Sequence, residues 1–509
     1  MGIDFRHSAP PTEGHRLAEI MGAGVAVFDS DGDGLQDILF TGAPPEGPRL
    51  YRRTAGGTYL AATRAAGLVS AGYGMGVALG DIDNDGDLDV YFTHVGPDQL
   101  YRNDGEGTFS DITPASGIVA DGWSSSAAFC DVDADGLLDL YVGSYVRADS
   151  DTRCTTPGGV PDYCPPNVYP GASDRLYRNL GGGVFEDIGV SSGIANTSSS
   201  ALGVVCHDFN LDDRADVFVA NDGAANHLWI NQGDGSFAER GIEIGVAANL
   251  FGEFEAGMGI ALADLNDDLR MDLFLTHVDR ESNTLYLSGP NEVMLDATIR
   301  SNLGWMSLPM TGFGTAFLDF DLDGDLDLAI ANGRVRRPTR TLEAAASFES
   351  TYGEENLLLA NDGNGRFEKD CDANPFCADR SVGRGLLAAD LDRDGDLDLV
   401  VANANGRARV YENRAPRMGN WLAVRSLIGA RDAIGGVVQL QIGERRLVRP
   451  IVHSRSYLSS RDATVHFGIG EATQIGALVV RWPSGDREAF AVPGINRHLV
   501  LVRGEGLPP

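Results

Sequence analysis

The sequence predicts an all-β protein: a seven-bladed β-propeller over residues 1–415, followed by a small C-terminal β-sandwich over 416–509. Three observations carry this expectation. The pattern Asp-x-Asp/Asn-x-Asp-x-x-x-Asp occurs seven times, starting at Asp29, Asp81, Asp131, Asp208, Asp264, Asp319 and Asp390. The starts lie 52, 50, 77, 56, 55 and 71 residues apart, so a base period carries two large insertions. After Pro416 the acidic loops stop and the composition changes.

Each unit reads alike. A Gly-rich apolar strand leads into the acidic loop, then come a hydrophobic strand, a polar loop and an aromatic strand ending in a Gly turn. A last short strand follows. In the second unit these fall at 74–80, 81–89, 90–93, 99–103 and 108–112. Four short antiparallel strands per unit, repeated radially, make one propeller blade each. The last unit has strands at 386–389, 397–401 and 409–412 but no outer strand, and residues 3–7 are expected to supply it and close the ring. Beyond Pro416, strands are expected at 420–426, 436–442, 445–452, 463–468, 477–482, 488–492 and 498–502.

The acidic loops point to a hard cation. Alternate side chains at positions 1, 3 and 5 of a tight turn converge on one point, and a carbonyl at position 7 and a carboxylate at position 9 complete an all-oxygen cage. Such a cage suits Ca²⁺ better than Mg²⁺, which resists full dehydration. The ligand sets are Asp29, Asp31, Asp33 and Asp37 in loop one; Asp81, Asp83, Asp85 and Asp89 in loop two; Asp131, Asp133, Asp135 and Asp139 in loop three. Loop four offers Asp208, Asn210, Asp212 and Asp216, and loop five Asp264, Asn266, Asp268 and Asp272. Loop six has Asp319, Asp321, Asp323 and Asp327, and loop seven Asp390, Asp392, Asp394 and Asp398. Gly34, Gly86, Gly136, Gly324 and Gly395 hold position 6, where the turn is sharpest. Loops four and five place Asp213 and Leu269 there and Asn at position 3, so weaker or distorted sites are expected. Five to seven Ca²⁺ ions follow, and because protein oxygens surround them, a structural role is the expectation.

Composition narrows the function classes. The formal charge of -33 offers no basic footprint for nucleic acid. Seven dications would cancel fourteen of those charges, so the metal-free chain should be self-repelling and less stable. Lys369 is the single lysine, which nearly excludes Schiff-base chemistry. No apolar run approaches the ~20 residues of a membrane span. The first residues show no signal peptide, giving a cytoplasmic expectation for the chain as it stands; the alternative is secretion with a leader removed. Cys130 and Cys206 read as buried thiols, whereas Cys154/Cys164 and Cys371/Cys377 are locally spaced pairs suited to disulfides in an oxidising compartment.

Strand parity locates a second candidate site. The acidic loops join strands one and two on one face of the ring, so the remaining connections lie on the opposite face, with both insertions, 144–173 and 332–355. These loops collect His94, Asp98, Tyr145, Asn221, Asp222, His227, His277, Asp279, Glu281, Asn332, Arg334, Arg336, Asn403 and Arg407. Loop-rich mouths of rigid scaffolds are where ligands bind. Arg337 and Arg340 extend the basic loop. His94, His277, Asp279 and Glu281 are the candidates for acid/base work. No Gly-x-Ser-x-Gly, His-Glu-x-x-His, P-loop or zinc-type Cys set is present.

The acidic loops resemble the FG-GAP/VCBS repeat of integrin-α-like propellers. The C-terminal segment resembles the ASPIC/UnbV domain through Asn420-Trp421-Leu422, Arg431-Asp432-Ala433-Ile434-Gly435, Ser456-Tyr457-Leu458-Ser459, His466-Phe467-Gly468-Ile469-Gly470 and Arg481-Trp482-Pro483-Ser484-Gly485. Together these make the chain similar to the cartilage-acidic-protein/UnbV family. The resemblance implies an extracytoplasmic calcium-binding protein, and through some bacterial relatives a link to natural-product biosynthesis. Two functions are therefore weighed. One is a rigid calcium-bound platform for a protein, a glycan or a small molecule at the mouth. The other is a calcium-dependent cyclase or isomerase of a small metabolite.

Overall fold

The computed structural model describes residues 1–509 apart from 10, 11, 13, 14, 71, 150, 339–346, 417 and 418. Seven antiparallel sheets follow one another along the chain. Their first two strands are Val25–Phe28/Asp37–Phe40, Tyr73–Gly80/Asp89–Val95, Ser124–Cys130/Asp139–Ser144, Ala201–His207/Asp216–Asn221, Ile260–Ala263/Asp272–Leu275, Gly312–Leu318/Asp327–Asn332 and Gly383–Ala389/Asp398–Asn403. An acidic loop joins the two strands in every case. Sheets one to six each add a third and a fourth strand, and sheet seven ends on its third, Arg409–Tyr411.

Hydrophobic residues are buried on both faces of these strands because each sheet is sandwiched between its neighbours. Val77, Leu79, Val90 and Phe92 of sheet two pack on Ala26, Phe28 and Leu39 of sheet one. The same sharing repeats between sheets three and four, four and five, five and six, and six and seven. Leu387, Val400 and Ala402 of sheet seven pack on Val25, Val27, Ile38 and Phe40 of sheet one, so the sheets form a closed β-propeller. The N-terminus sits on this seam. His7 N–H donates to Gly406 O and Ala408 N–H to Phe5 O, with Phe5 stacked on Phe40 at 4.8 Å.

The C-terminal segment forms two sheets. Asn420–Ile428 is central in one, flanked by Val465–Gly470 and, in parallel, by Arg497–Val502. The other orders Arg445–Pro450, Val437–Ile442, Ala477–Arg481 and Arg487–Phe490. Leu422, Val424, Val438, Leu440, Phe467, Val480 and Trp482 fill the space between them.

This unit is not self-contained. Its segment 453–462 enters the ring and fills the axis, a placement the sequence reading of a separate domain did not foresee. Ser460 and Arg461 pair in parallel with Ala26 and Val27. Ser454 Oγ donates to Ala127 O, Val77 N–H donates to Leu458 O, and Ser456 exchanges backbone bonds with Ile260. Thr315 N–H donates to Ser456 Oγ at 2.9 Å, and Tyr457 reaches through to Met21 O. First strands of a propeller carry unpaired backbone groups along the axis, and one polar segment satisfies several of them at once. Ser456 and Leu458 take positive φ (65° and 56°) at the tip, a tight turn sustained by these contacts.

On the opposite face the axial mouth is packed shut. Leu17, with Ile20 and Met21 of the short helix Ala18–Met21, joins Trp123, Tyr145, Tyr163, Tyr352 and Tyr457 in one buried cluster. The two insertions meet over it: Asp162 accepts from Arg337 N–H (2.9 Å) and from Tyr352 Oη (2.8 Å). Arg340 lies outside the described residues. Arg384 is fully buried here, donating to Ile20 O and Gly333 O above the Phe313 ring.

All six cysteines are paired. Cys154–Cys164 and Cys371–Cys377 form the two local bridges. Cys130 and Cys206, read from sequence as thiols, are instead bonded to each other. They lie at the ends of the first strands of sheets three and four, which the ring brings side by side, a proximity that a separation of 76 in sequence conceals.

Candidate metal centres

The acidic loops share one backbone design. In six loops the position-1 Asp accepts the N–H groups of positions 5 and 6, as Asp81 does from Asp85 and Gly86 and Asp390 from Asp394 and Gly395; in loop six Asp319 accepts Gly324 N–H while Asp323 N–H turns to Asp321. Positions 4 and 6 take positive φ, for example Asn84 (62°) and Gly86 (102°). Loops four and five keep this turn despite Asp213 (φ 66°) and Leu269 (φ 70°), and Asp208 and Asp264 accept the same pair of N–H groups.

The position-9 Asp does structural work in all seven repeats. Asp89 accepts Ile82 N–H within its loop and Asn103 N–H at the end of the third strand, at 2.9 and 2.8 Å. Asp37, Asp139, Asp216, Asp272, Asp327 and Asp398 repeat the arrangement. Sequence reasoning treated these as ligands alone. It also missed a partner residue: Asn103, Asn179, Asn231 and Asn413 donate across to the position-2 carbonyl of the preceding loop, Ser30, Ile82, Val132 and Phe320. The Asn that closes each Leu-Tyr-Arg-Asn-like third strand was the available signal.

Carboxylate oxygens from three residues come within 4.8 Å of one another in five loops: Asp29/Asp31/Asp33, Asp81/Asp83/Asp85, Asp131/Asp133/Asp139, Asp319/Asp321/Asp327 and Asp390/Asp392/Asp394. One oxygen each of Asp31, Asp83 and Asp319 is buried with no hydrogen-bond partner. Burial, reinforced by neighbouring carboxylates, pushes Asp81 and Asp131 up to about 6 and Asp319 up to about 7. Clustered, half-buried carboxylates with spare lone pairs are a poor arrangement for a bare protein and fit a hard divalent cation.

Loops four and five meet arginines instead. Arg481 places Nη2 2.7 Å from Asp208 and Nη1 2.8 Å from Asp213, while Arg445 pairs with Asp267 and Asp325. These arginines belong to the C-terminal unit, which covers the whole acidic face. His466 bonds Gly395 O, Trp421 lies directly over Gly395, and His498 sits 3.3 Å from Asp390.

The mouth residues resolve into several roles. Asn221, Asn332 and Asn403 clamp equivalent turns, donating to Ala225 O, Glu355 O and Arg407 O. Asp98 accepts from Tyr91 Oη and His94 N–H, and Tyr145 Oη donates to Asp222 at 2.6 Å. His94 is buried against Ser70 and His277 lies 3.8 Å from Glu255; burial lowers them to about 4 and 3. Glu281 accepts Ala256 N–H, and burial raises it to about 7. Arg334 bridges Glu354 (2.7 Å) and Asp279 (3.9 Å). His227 packs on Trp229, and Arg336 and Arg407 are exposed. Glu281 therefore groups with Asp222, Glu255 and His277 beside sheets four and five, while His94 belongs to sheet two. The four acid/base candidates do not form one site.

A propeller of acidic-loop repeats capped by a β-sandwich on its acidic-loop face defines the class. Residues 29–92, 91–142 and 208–275 match the FG-GAP-like repeat, and residues 428–508 match ASPIC and UnbV. This chain is an FG-GAP-repeat protein with a C-terminal ASPIC/UnbV domain, homologous to proteins named Cartilage acidic protein 1. It is 25% identical to the one from Xenopus tropicalis over 347 residues (64% of this chain, 49% of the relative). It is likewise 25% identical to the Homo sapiens protein over 345 residues, covering 64% and 48%. The chain thus spans about half the length of the curated relatives it matches. Among solved structures, an Agrocybe aegerita lectin recognising non-reducing terminal N-acetylglucosamine superposes with TM-score 0.43 at 14% identity, covering 77% of this chain and 94% of that one. PorZ of the Porphyromonas gingivalis type-IX secretion system gives 0.42 at 11% identity, covering 91% and 58%. Among the described residues, no helix is long and apolar enough to cross a membrane.

Proposed function

We propose that the chain is a calcium-bound propeller serving as a rigid platform for a protein or glycan partner. The observation that carries this reading is the convergence of three carboxylates in five of the seven loops, three of which hold a buried oxygen with no partner, at Asp31, Asp83 and Asp319. Asp residues 29, 31 and 33 of loop one and their equivalents would hold the ions, and bound Ca²⁺ would supply the positive charge that lets these carboxylates stay ionised. The position-9 Asp ties each loop to the third strand of its own sheet, and in four of them a cross-blade Asn adds a tie to the next sheet, so an ion there stiffens the ring rather than working on a substrate.

For a partner, the mouth face offers a cleft of about 690 Å³ between sheets two and three and the 144–173 insertion. Trp123, Tyr169, Arg147 and Arg175 line it. Aromatic and guanidinium groups on a rigid rim suit a polar partner. The enzymatic alternative has weaker support, because His94 stands apart from His277, Asp279 and Glu281.

Calorimetric titration of chelator-stripped protein with CaCl₂ tests the reading, with about five ions bound as the expected result. A melting temperature identical in EDTA and in millimolar calcium would rule it out.

A further inference from the structure

The acidic face and the C-terminal unit do not meet flush. Between loops three and four and the overlying sandwich lies a cavity of about 530 Å³, within the range of small-molecule sites. Loop three lines its floor with Asp131, Asp133 and Asp135, and the Cys130–Cys206 bridge sits beside them. Arg431, Arg481 and Arg503 line the roof.

Two of the three arginines are committed. Arg481 is held by Asp208 and Asp213, and Arg503 pairs with Asp486. Arg431 differs. It is 9% exposed, and its Nη1 is buried without a hydrogen-bond partner. The acid next to it in sequence, Asp432, is already taken by Arg425 and His453. Its side chain reaches loop three: Nη2 lies 3.6 Å from where a Cβ on Gly136 would stand. From the propeller side His207, the last residue of the first strand of sheet four, also lines the cavity; it is 3% exposed and its Nδ1 lacks a partner.

Arg431 shares the field of Asp131 with any loop-three dication, but its Nη1 points into a largely enclosed space with no acceptor. A buried donor left without a partner is costly, so an acceptor from a ligand would satisfy it. A guanidinium fork is shaped for two oxygens of one carboxylate or phosphate, and Ca²⁺ accepts further oxygen ligands beyond the three carboxylates gathered here.

We propose that this cavity binds a small molecule bearing a carboxylate or phosphate, held together by Arg431 and the loop-three cation. The proposal rests on the calcium reading above and adds a ligand class on the face opposite the mouth cleft. His207 Nδ1 and Ser484 would contact the remainder of the ligand.

The test uses the full chain in 1 mM CaCl₂, titrated calorimetrically with inorganic phosphate and separately with succinate. Saturable binding of at least one probe is expected, and which one binds tells phosphate from carboxylate. Arg431→Gln should weaken it at least about tenfold, the loss of a charge-assisted pair, while Arg431→Lys should retain part. Asp133→Asn should weaken it too. Calcium must still raise the melting temperature of Arg431→Gln as it does that of the parent, which shows the variant is folded and metal-bound. Binding of neither probe, equal binding to Arg431→Gln, or binding that persists in EDTA would each overturn the site. Failure of calcium to stabilise the parent chain would instead overturn the calcium reading.

Discussion

Replacing Arg481 with Met probes how the C-terminal unit is fastened to the ring. The guanidinium is 11% exposed and Asp208 only 4%, so their 2.7 Å pair is a buried one, whereas Asp213 is 47% exposed. Removing one partner of a buried pair costs about 3–5 kcal/mol, because the remaining charge is stranded. The Asp213 arm, screened by solvent, adds less than about 1 kcal/mol. Urea unfolding in EDTA should therefore show a loss of about 3 kcal/mol. Calcium should behave differently in this variant. With the arginine gone, loop four presents Asp208, Asn210 and Asp212 in an intact turn, so an ion can take the vacated charge position. The bound-ion count should rise by one over the parent, and calcium should restore part of the lost stability. A loss below about 1 kcal/mol in EDTA, with an unchanged ion count, would refute the idea that Arg481 stands in for a cation.

Three further outcomes are expected. Gly395→Ala places a Cβ in the Trp421 ring at a φ of 98°, so it should cost about 1–3 kcal/mol by urea unfolding and speed proteolysis near residue 416. Leu458→Ala, at a residue 1% exposed on the axis, should cost about 2–5 kcal/mol and broaden hydrogen exchange across the first strands of several sheets; an effect confined to the C-terminal unit would contradict the plug. Asp98, raised by burial to about 7, binds its proton more tightly folded than unfolded, so its contribution is fully present below its unfolded pKa and disappears as pH rises through 7. Asp98→Asn keeps one oxygen for His94 N–H, while its NH₂ replaces the oxygen that accepts from Tyr91 Oη and the hydroxyl turns to accept instead; it should remove a slope of about 1.4 kcal/mol per pH unit between pH 4 and 7. Identical slopes for both proteins would discount this buried carboxyl.

What the sequence determined by itself was everything that repeats. Continuous apolar strands, acidic loops and Gly turns are local instructions, each read within about ten residues, so the sheets, loops and strands of the C-terminal unit were legible from local pattern and spacing. Asn210 and Asn266 set loops four and five apart in the sequence, yet their turn is the common one, because Asp213 and Leu269 tolerate positive φ when Asp208 and Asp264 hold the flanking N–H groups. Tertiary structure decided whatever joins residues remote in the chain. Cys130 meets Cys206 only because the ring sets neighbouring first strands side by side. Ser456-Tyr457-Leu458-Ser459 carried a family signature without a visible task, and its task exists only where several strands present unpaired groups to one axis. The mouth asparagines looked like ligands because a side chain that clamps a turn and one that binds a guest use the same atoms. Arg431 and Arg481 drew notice only within family signatures, since the charge of a guanidinium gains meaning from which carboxylates the fold leaves it to face.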